Sequence, residues 1–228
     1  MSFASGHVAV LDVKDHRVQW SNDGGHTETI FDCHLSEENP HTLVTCSFDG
    51  TVRRWDTRTK KGIQTFKTTD ARSKDSALGG GDIKNDHGGK GALYSCAISC
   101  DGSIVCASGF EGKLYFFDVK TGRTLPSIHA HDLSVHRIAA HPKEGGLFAA
   151  ASLDGSVSIF TKDGVRLFIM TQDPCSGVAF DLFRPDRIAI SCKSGRIYLW
   201  DWRLSAGVGH RSQQQSPKSA RLGARDAE

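Results

Sequence analysis

A short pattern recurs five times along this chain and constrains its fold more than any other feature. Each copy has a glycine, an aliphatic residue two positions later and a large apolar residue five positions after the glycine, followed in four copies by aspartate. The glycines lie 44, 62, 43 and 40 residues apart. Such a period indicates repeated supersecondary units that pack side by side. The five copies read SGHVAVLD, DGTVRRWD, EGKLYFFD, DGSVSIFT and SGRIYLWD.

The residues around each copy predict short β-strands. In the clearest unit we expect strands at 30–34, 42–47, 51–56 and 63–66, with Asn39-Pro40 and Asp49-Gly50 marking turns between them. The first copy lacks the two strands that would precede it, and the last copy lacks a fourth strand. Counting gives 17 strands, with a third strand of a unit at each end of the chain. A ring of such units would not close cleanly.

With Gly25-His26 before the first strand and Trp55-Asp56 closing the third, these motifs resemble the WD40-repeat family over about residues 5–203. Residues 5–57 are similar to the first blades of one large multi-repeat member. The resemblance implies an all-β, WD40-type β-propeller of about four to five blades that forms an incomplete or open ring. The expected units are a partial blade at 1–24, blades at about 25–67, 91–129, 130–170 and 171–203, a Gly-rich insertion loop at 68–90, and a disordered basic tail at 204–228.

The resemblance also implies a structural hydrogen-bond relay inside a blade. In this chain the matching residues are His26, Thr45, Asp49 and Trp55. A catalytic reading of His26 with Asp49 is disfavoured because the repeat supplies no nucleophile. The other blades depart from the pattern, so we expect a full relay only in the blade at 25–67 and apolar packing elsewhere. The departures are Ala107 and Phe117, Ala150 and Phe160, and Ile190.

Charge and cysteine content narrow the class of protein. The net charge of +2 builds no field that would steer a nucleic acid. The first residues meet charge too early for a signal peptide or a membrane span. Seven cysteines without metal-type spacing indicate a reducing, intracellular compartment, with the cytoplasm as the expected location.

Patterns that would carry enzymatic chemistry are weak. Gly88-Gly89-Lys90 is followed by Gly91 and a predicted strand, so it does not match a phosphate-binding loop. The histidines at positions 129, 131, 136 and 141 invite a metal site, but no supporting carboxylate pattern accompanies them. We therefore expect no catalytic residues, no metal and no cofactor.

The remaining interpretation is a scaffold for protein partners, without a small-molecule substrate or a membrane span. The resemblance places the binding surface on the face with the b–c loops, between the second and third strands, and the d–a loops, between units. The residue before the turn acid is Phe48, Phe110 or Leu153 in three successive blades. These side chains either anchor a protein partner or pack against the next blade. The alternatives are a truncated propeller without independent function and a nucleic-acid or histone-tail reader.

Overall fold

The structure, a computed structural model, describes residues 6–11, 14, 18–22, 25–68 and 91–203. In these residues 17 strands form five antiparallel sheets whose strands follow chain order. They are an N-terminal hairpin, β1 (Val8–Leu11) and β2 (Val18–Asn22); sheet I, β3 (Ile30–Leu35), β4 (Thr42–Ser47), β5 (Thr51–Asp56) and β6 (Lys61–Lys67); sheet II, β7 (Leu93–Ile98), β8 (Ile104–Gly109), β9 (Lys113–Asp118) and β10 (Thr124–His129); sheet III, β11 (Val135–Ala140), β12 (Phe148–Ser152), β13 (Ser156–Thr161) and β14 (Gly164–Met170); and sheet IV, β15 (Cys175–Phe180), β16 (Arg187–Cys192) and β17 (Ile197–Asp201).

The second strand of each of sheets I to III is buried along its whole length. Every residue of β4, β8 and β12 is buried, because each sheet packs against neighbours on both faces and no side of the strand reaches water. The fourth strands β6, β10 and β14 are the exposed ones. The predicted strands at 42–47 and 51–56 are confirmed to the residue, whereas the fourth strand of that sheet is longer than expected.

The core consists of layers between successive sheets. One apolar cluster joins sheets I and II, a second joins sheets II and III, and a third joins sheets III and IV. The hairpin packs on sheet I through Val8, Ile30, Leu43 and Trp55. The first strands β3, β7, β11 and β15 contact one another in sequence. The sheets therefore fan out from a shared inner edge, as propeller blades do.

The backbone conformation of the turn explains why glycine recurs in each repeat. Gly50, Gly112, Gly155 and Gly195 end the turn between the second and third strands with φ of 76°, 68°, 84° and 83°. Glycine adopts this left-handed region without strain. The pattern that reveals the repeat is thus a turn requirement.

The expected all-β architecture with an open ring is confirmed for the described residues. The N-terminal hairpin does not pair with sheet IV, and sheet IV has three strands. The predicted blade limits stay predictions. The insertion loop at 68–90, apart from Thr68, and the tail at 204–228 lie outside the described residues.

Candidate protein-binding face

The loops that enter and leave each sheet meet on one side of the molecule, here called the loop face. Its components are the b–c turns and the d–a connections. The Thr68 hydroxyl donates to the Gly50 carbonyl over 3.1 Å, and the Thr171 amide donates to the Gly155 carbonyl over 2.8 Å. These bonds tie each d–a connection to the b–c turn beside it.

The structure brings the four relay residues of sheet I into contact. Thr45 Oγ1 lies 2.8 Å from His26 Nε2 and accepts the Trp55 indole N–H over 2.9 Å. His26 Nδ1 lies 3.0 Å from Asp49 Oδ2. His26, Thr45 and Trp55 are all buried, so each polar atom needs a partner inside the protein. Whether this relay stabilises the blade stays a prediction.

The carboxylate at the end of the relay is held ionised. Burial alone would raise the pKa of Asp49, but hydrogen bonds from His26, Thr51 and the Thr27 amide outweigh it and lower that pKa well below the usual range. The Thr51 hydroxyl donates to Asp49 Oδ1 over 2.6 Å. An ionised acceptor strengthens every hydrogen bond that it receives.

Sheet III carries a shorter network in place of the full relay, because Phe160 stands where Trp55 stands in sheet I. The expectation of apolar packing in the other blades therefore leaves out a polar network in this one. His131 Nε2 lies 2.8 Å from Ser158 Oγ, and His131 Nδ1 lies 2.8 Å from Ser156 Oγ. Ser156 in turn donates to Asp154. Ala150 does remove the hydroxyl from the second strand, but Ser158 is its register partner on the third strand. The hydroxyl therefore reaches the histidine from the neighbouring strand.

The most prominent feature of the loop face is a ladder of four aromatic rings across three sheets. Phe48 lies 6.1 Å from Phe31, Phe31 lies 5.2 Å from Tyr94, and Tyr94 lies 5.3 Å from His136, measured between ring centroids. Phe31 is 48% exposed. We call these four residues the aromatic ladder.

A β-bulge explains why the ladder residues face outward. The register between the first and second strands shifts across Phe31, Tyr94, His136 and Ser176, each the second residue of its strand. A bulged residue leaves the alternating pattern, and its side chain is aimed differently from those of its neighbours. Three of the four bulges hold a ring, which produces a continuous row.

The ladder rests on a polar network that joins three sheets. Arg137 Nη1 donates to Asp32 Oδ1 over 2.7 Å, and the Ser95 hydroxyl donates to Asp32 Oδ2 over 2.6 Å. The Ile138 amide donates to Ser95 over 2.9 Å. Asp32, Ser95 and Arg137 each follow a bulged residue directly. The network therefore fixes the spacing of the strands that carry the ladder.

The predicted binding residues occupy three different environments. Phe48 is half-buried and belongs to the aromatic ladder. Phe110 is 37% exposed and, among the described residues, makes no ring contact. Leu153 is half-buried. Sequence reasoning missed Phe31, Tyr94 and His136; the signal that could have found them is an aromatic residue directly after the first apolar residue of each strand.

The four histidines considered for a metal site serve separate purposes. His129 is exposed, His131 belongs to the sheet III network, and His141 accepts amide hydrogens from Lys143 and Glu144. In the part of the chain that the structure describes, no group of three or more histidine, cysteine or acidic residues is arranged to hold a metal ion. No helix among the described residues is long and apolar enough to span a membrane.

His136 contributes a neutral ring to the ladder. Burial, and after it the nearby Lys193 charge, lower the pKa of His136 below its ordinary value of 6.5. The ring is therefore uncharged at pH 7, which suits contact with Tyr94 and with an apolar partner group.

Three proteins with similar sequences are longer than this chain. Periodic tryptophan protein 2 of Arabidopsis thaliana is 27% identical over 183 residues, which cover 77% of this chain and 18% of that protein. The peroxisomal targeting signal 2 receptor of Mus musculus is 27% identical over 64% of this chain and 41% of the receptor. The WD repeat-containing protein 89 homolog of Dictyostelium discoideum is 21% identical over 82% of this chain and 47% of its own length. The chain thus spans less than half the length of these relatives.

The family comparison agrees with the repeats and sheets. The family model described as "WD domain, G-beta repeat" matches residues 3–56 and 122–161. The first match covers the hairpin and most of sheet I, and the second includes most of sheet III. The matched residues are therefore similar to WD40 repeats, and the glycine turns and four-stranded sheets of the described residues agree with that likeness.

Proposed function

We propose that this chain is a non-catalytic WD40-repeat scaffold that binds protein partners through its loop face. Proteins with WD40 repeats generally act as platforms for protein interactions. The observation that carries the proposal is the aromatic ladder. Large, partly exposed aromatic groups are the side chains that most often dominate interface energies.

The ladder is suited to binding because it is already ordered. Its rings touch one another, and the Asp32 network holds the strands beneath them. A partner would therefore not have to order these side chains on binding. Phe110 extends the apolar surface within the same proposal, and Leu153 is its weakest element because it is half-buried and lies outside the aromatic ladder.

Two finer points accompany the proposal. The seven free cysteines favour a reducing, intracellular environment, for which the cytoplasm is our proposal. The likeness of residues 5–57 to the first blades of WD repeat-containing protein seventeen fits a scaffold role and stays a prediction.

A capture experiment tests the loop face. The purified chain and its Phe48→Arg/Phe110→Arg and Phe31→Arg variants are used to capture proteins from a cell lysate, followed by quantitative mass spectrometry. The matched control is Leu182→Arg/Phe183→Arg, because these side chains are 64% and 93% exposed on a loop between first and second strands, away from the loop face. Thermal unfolding of each variant shows that it is folded.

We expect the loop-face variants to lose captured proteins that the control variant retains. Equal capture by all variants would contradict the proposal. Capture that disappears after nuclease treatment would favour the nucleic-acid reader, and no reproducible capture by the unaltered chain would favour a propeller piece without independent function.

A further inference from the structure

A polar cleft lies between sheets I and II, at the end of the molecule opposite the loop face. The loops between the first and second strands of both sheets, β3–β4 and β7–β8, border it together with β5 and the end of β9. Its volume is about 440 Å³, within the range of roughly 300–1,000 Å³ that small-molecule sites span. We call this space the inter-sheet cleft. Its walls include Ser36, Glu38, Thr42, Arg54, Ile98 and Val119.

Arg54 brings an unpaired positive charge into the wall of the cleft. Its Nε atom is buried and has no hydrogen-bond partner, and its guanidinium forms no ion pair with any described residue. Burial lowers the pKa of Arg54, but a guanidinium stays protonated in proteins. A buried donor that makes no hydrogen bond costs free energy, and the cost is larger when the group is charged. The guanidinium therefore favours an acceptor that enters the cleft.

The strand pairing places hydroxyl groups near Arg54. Thr42 lies opposite Asp56, two residues beyond Arg54 on β5, so Thr42 and Arg54 are diagonal neighbours on the same face of sheet I. Thr42 is 9% exposed, and its hydroxyl makes no hydrogen bond with a described residue. The buried Ser36 hydroxyl oxygen accepts the Asn39 amide over 3.3 Å, which leaves its hydrogen free to donate. The cleft thus offers one charged donor group and neutral donors beside it.

The acidic residues near Arg54 leave its guanidinium unpaired. Asp56 accepts two backbone amides of its own turn over 2.8 and 3.1 Å. Glu38 is exposed at the rim of the cleft. The negative charges of Asp56 and Glu38 repel a doubly charged anion more strongly than a singly charged one. The surroundings of Arg54 therefore favour a guest with a single negative charge over a phosphate dianion.

We propose that the inter-sheet cleft binds a carboxylate, with the Arg54 guanidinium and the Thr42 hydroxyl as its donors. A carboxylate carries a single charge, and its two oxygens match the planar fork of a guanidinium. Ile98 and Val119 supply apolar contact for the carbon atoms next to it. The carboxylate comes either from an acidic side chain of a protein partner or from a free small molecule. The cleft lies at the opposite end from the loop face, so this second site stands or falls independently of the capture experiment.

NMR titration of the full chain tests the proposal through the arginine Nε–H signals and the backbone amide signal of Gly102, which borders the cleft. The Arg54 signal is the Nε–H signal that is missing from Arg54→Gln. The probes are acetate, for a free small molecule, and a blocked tripeptide with a central glutamate, for an acidic side chain. Sodium chloride at equal ionic strength is the control. We expect a carboxylate probe, and not chloride, to move both signals, and the probe that binds more tightly identifies the source.

Three charge variants separate this site from a general effect of charge. Arg54→Gln should weaken binding, followed at the Gly102 amide, by roughly tenfold or more. The matched control is Arg58→Gln, which removes the same charge from a side chain that is 72% exposed in the next turn, and it should change the affinity by less than roughly twofold. Glu38→Gln should tighten binding by roughly two- to fivefold, because it removes a negative charge from the rim. This variant is at an exposed loop position, so it tests the proposal even if Arg54→Gln does not fold.

Three results would overturn the proposal. The first is an Arg54 Nε–H signal that neither carboxylate moves. The second is equal binding by folded Arg54→Gln and Arg58→Gln, or binding that Glu38→Gln weakens. The third is tighter binding of inorganic phosphate than of either carboxylate, which would assign the cleft to a different anion.

Discussion

Replacing Thr45 with valine isolates the contribution of the relay in sheet I. Valine keeps the shape of threonine but removes the hydroxyl that lies 2.8 Å from His26 Nε2 and accepts the Trp55 indole N–H over 2.9 Å. Thr45 is fully buried, and its two partners are 3% and 1% exposed. Water therefore cannot replace the lost bonds. A buried polar group that loses its partner costs about 1–3 kcal/mol, so two such groups predict a loss of about 2–6 kcal/mol in the free energy of unfolding.

Urea denaturation of Thr45→Val, followed by circular dichroism, measures this loss. The matched control is Thr65→Val, at an exposed position of β6 in the same sheet, where we expect a change within about 0.5 kcal/mol. A double-mutant cycle with Trp55→Phe should show coupling, since the phenylalanine ring has no N–H to leave unpaired. A loss for Thr45→Val no larger than for Thr65→Val would refute the reasoning that the relay stabilises the blade.

Three further expectations concern neighbouring features. Ser158→Ala in the sheet III network leaves one histidine nitrogen without its hydroxyl, so it should lower the free energy of unfolding by about 1–3 kcal/mol, less than Thr45→Val does; an effect below that of Thr65→Val would contradict it. Burial lowers the pKa of His131 below 6.5 in the folded chain. As the pH falls through 6.5, the unfolded chain therefore binds more protons than the folded chain, and the urea midpoint should fall. In His131→Gln the urea midpoint should depend less steeply on pH. Asp32→Ala should lower the urea midpoint more than Arg137→Ala, because Asp32 is 9% exposed and accepts hydrogen bonds from two sheets while the Arg137 side chain is 45% exposed. Midpoints of both variants equal to that of the unaltered chain would show that the network contributes little to stability.

The strands could be predicted because a local requirement repeats. A glycine that must adopt positive φ marks each turn, and the apolar residues two and five positions later mark the third strand. The positions of β4, β5 and β11 follow from these marks. The blade limits and the loop at 68–90 stay predictions, because no turn or alternation marks the ends of a Gly-rich stretch in the sequence.

The aromatic ladder was missed because its signal is ambiguous in the sequence. Ile30-Phe31 and Leu93-Tyr94 are adjacent apolar pairs, and a strand buried on both faces also has adjacent apolar residues. Only the register shift shows that the second residue of each pair leaves the alternation. A bulge depends on how the strand pairs with the next strand, and the residues of one strand alone do not determine that pairing.

The relays show that position in space matters more than a fixed motif. In sheet I the Thr27 amide of the d–a connection donates to Asp49 of the b–c turn over 3.0 Å, and in sheet III the Asp132 amide donates to Asp154 over 3.0 Å. Sheet IV reverses the arrangement: Ser194 of the turn donates to Asp173 of the connection. Selection on the bond between the two loops would allow the residues to change places, and a search for one His-Thr-Asp-Trp pattern would miss two of these three ties. The loops that border the aromatic ladder are therefore fixed by a shared geometry, even where the sequence of the repeat has diverged.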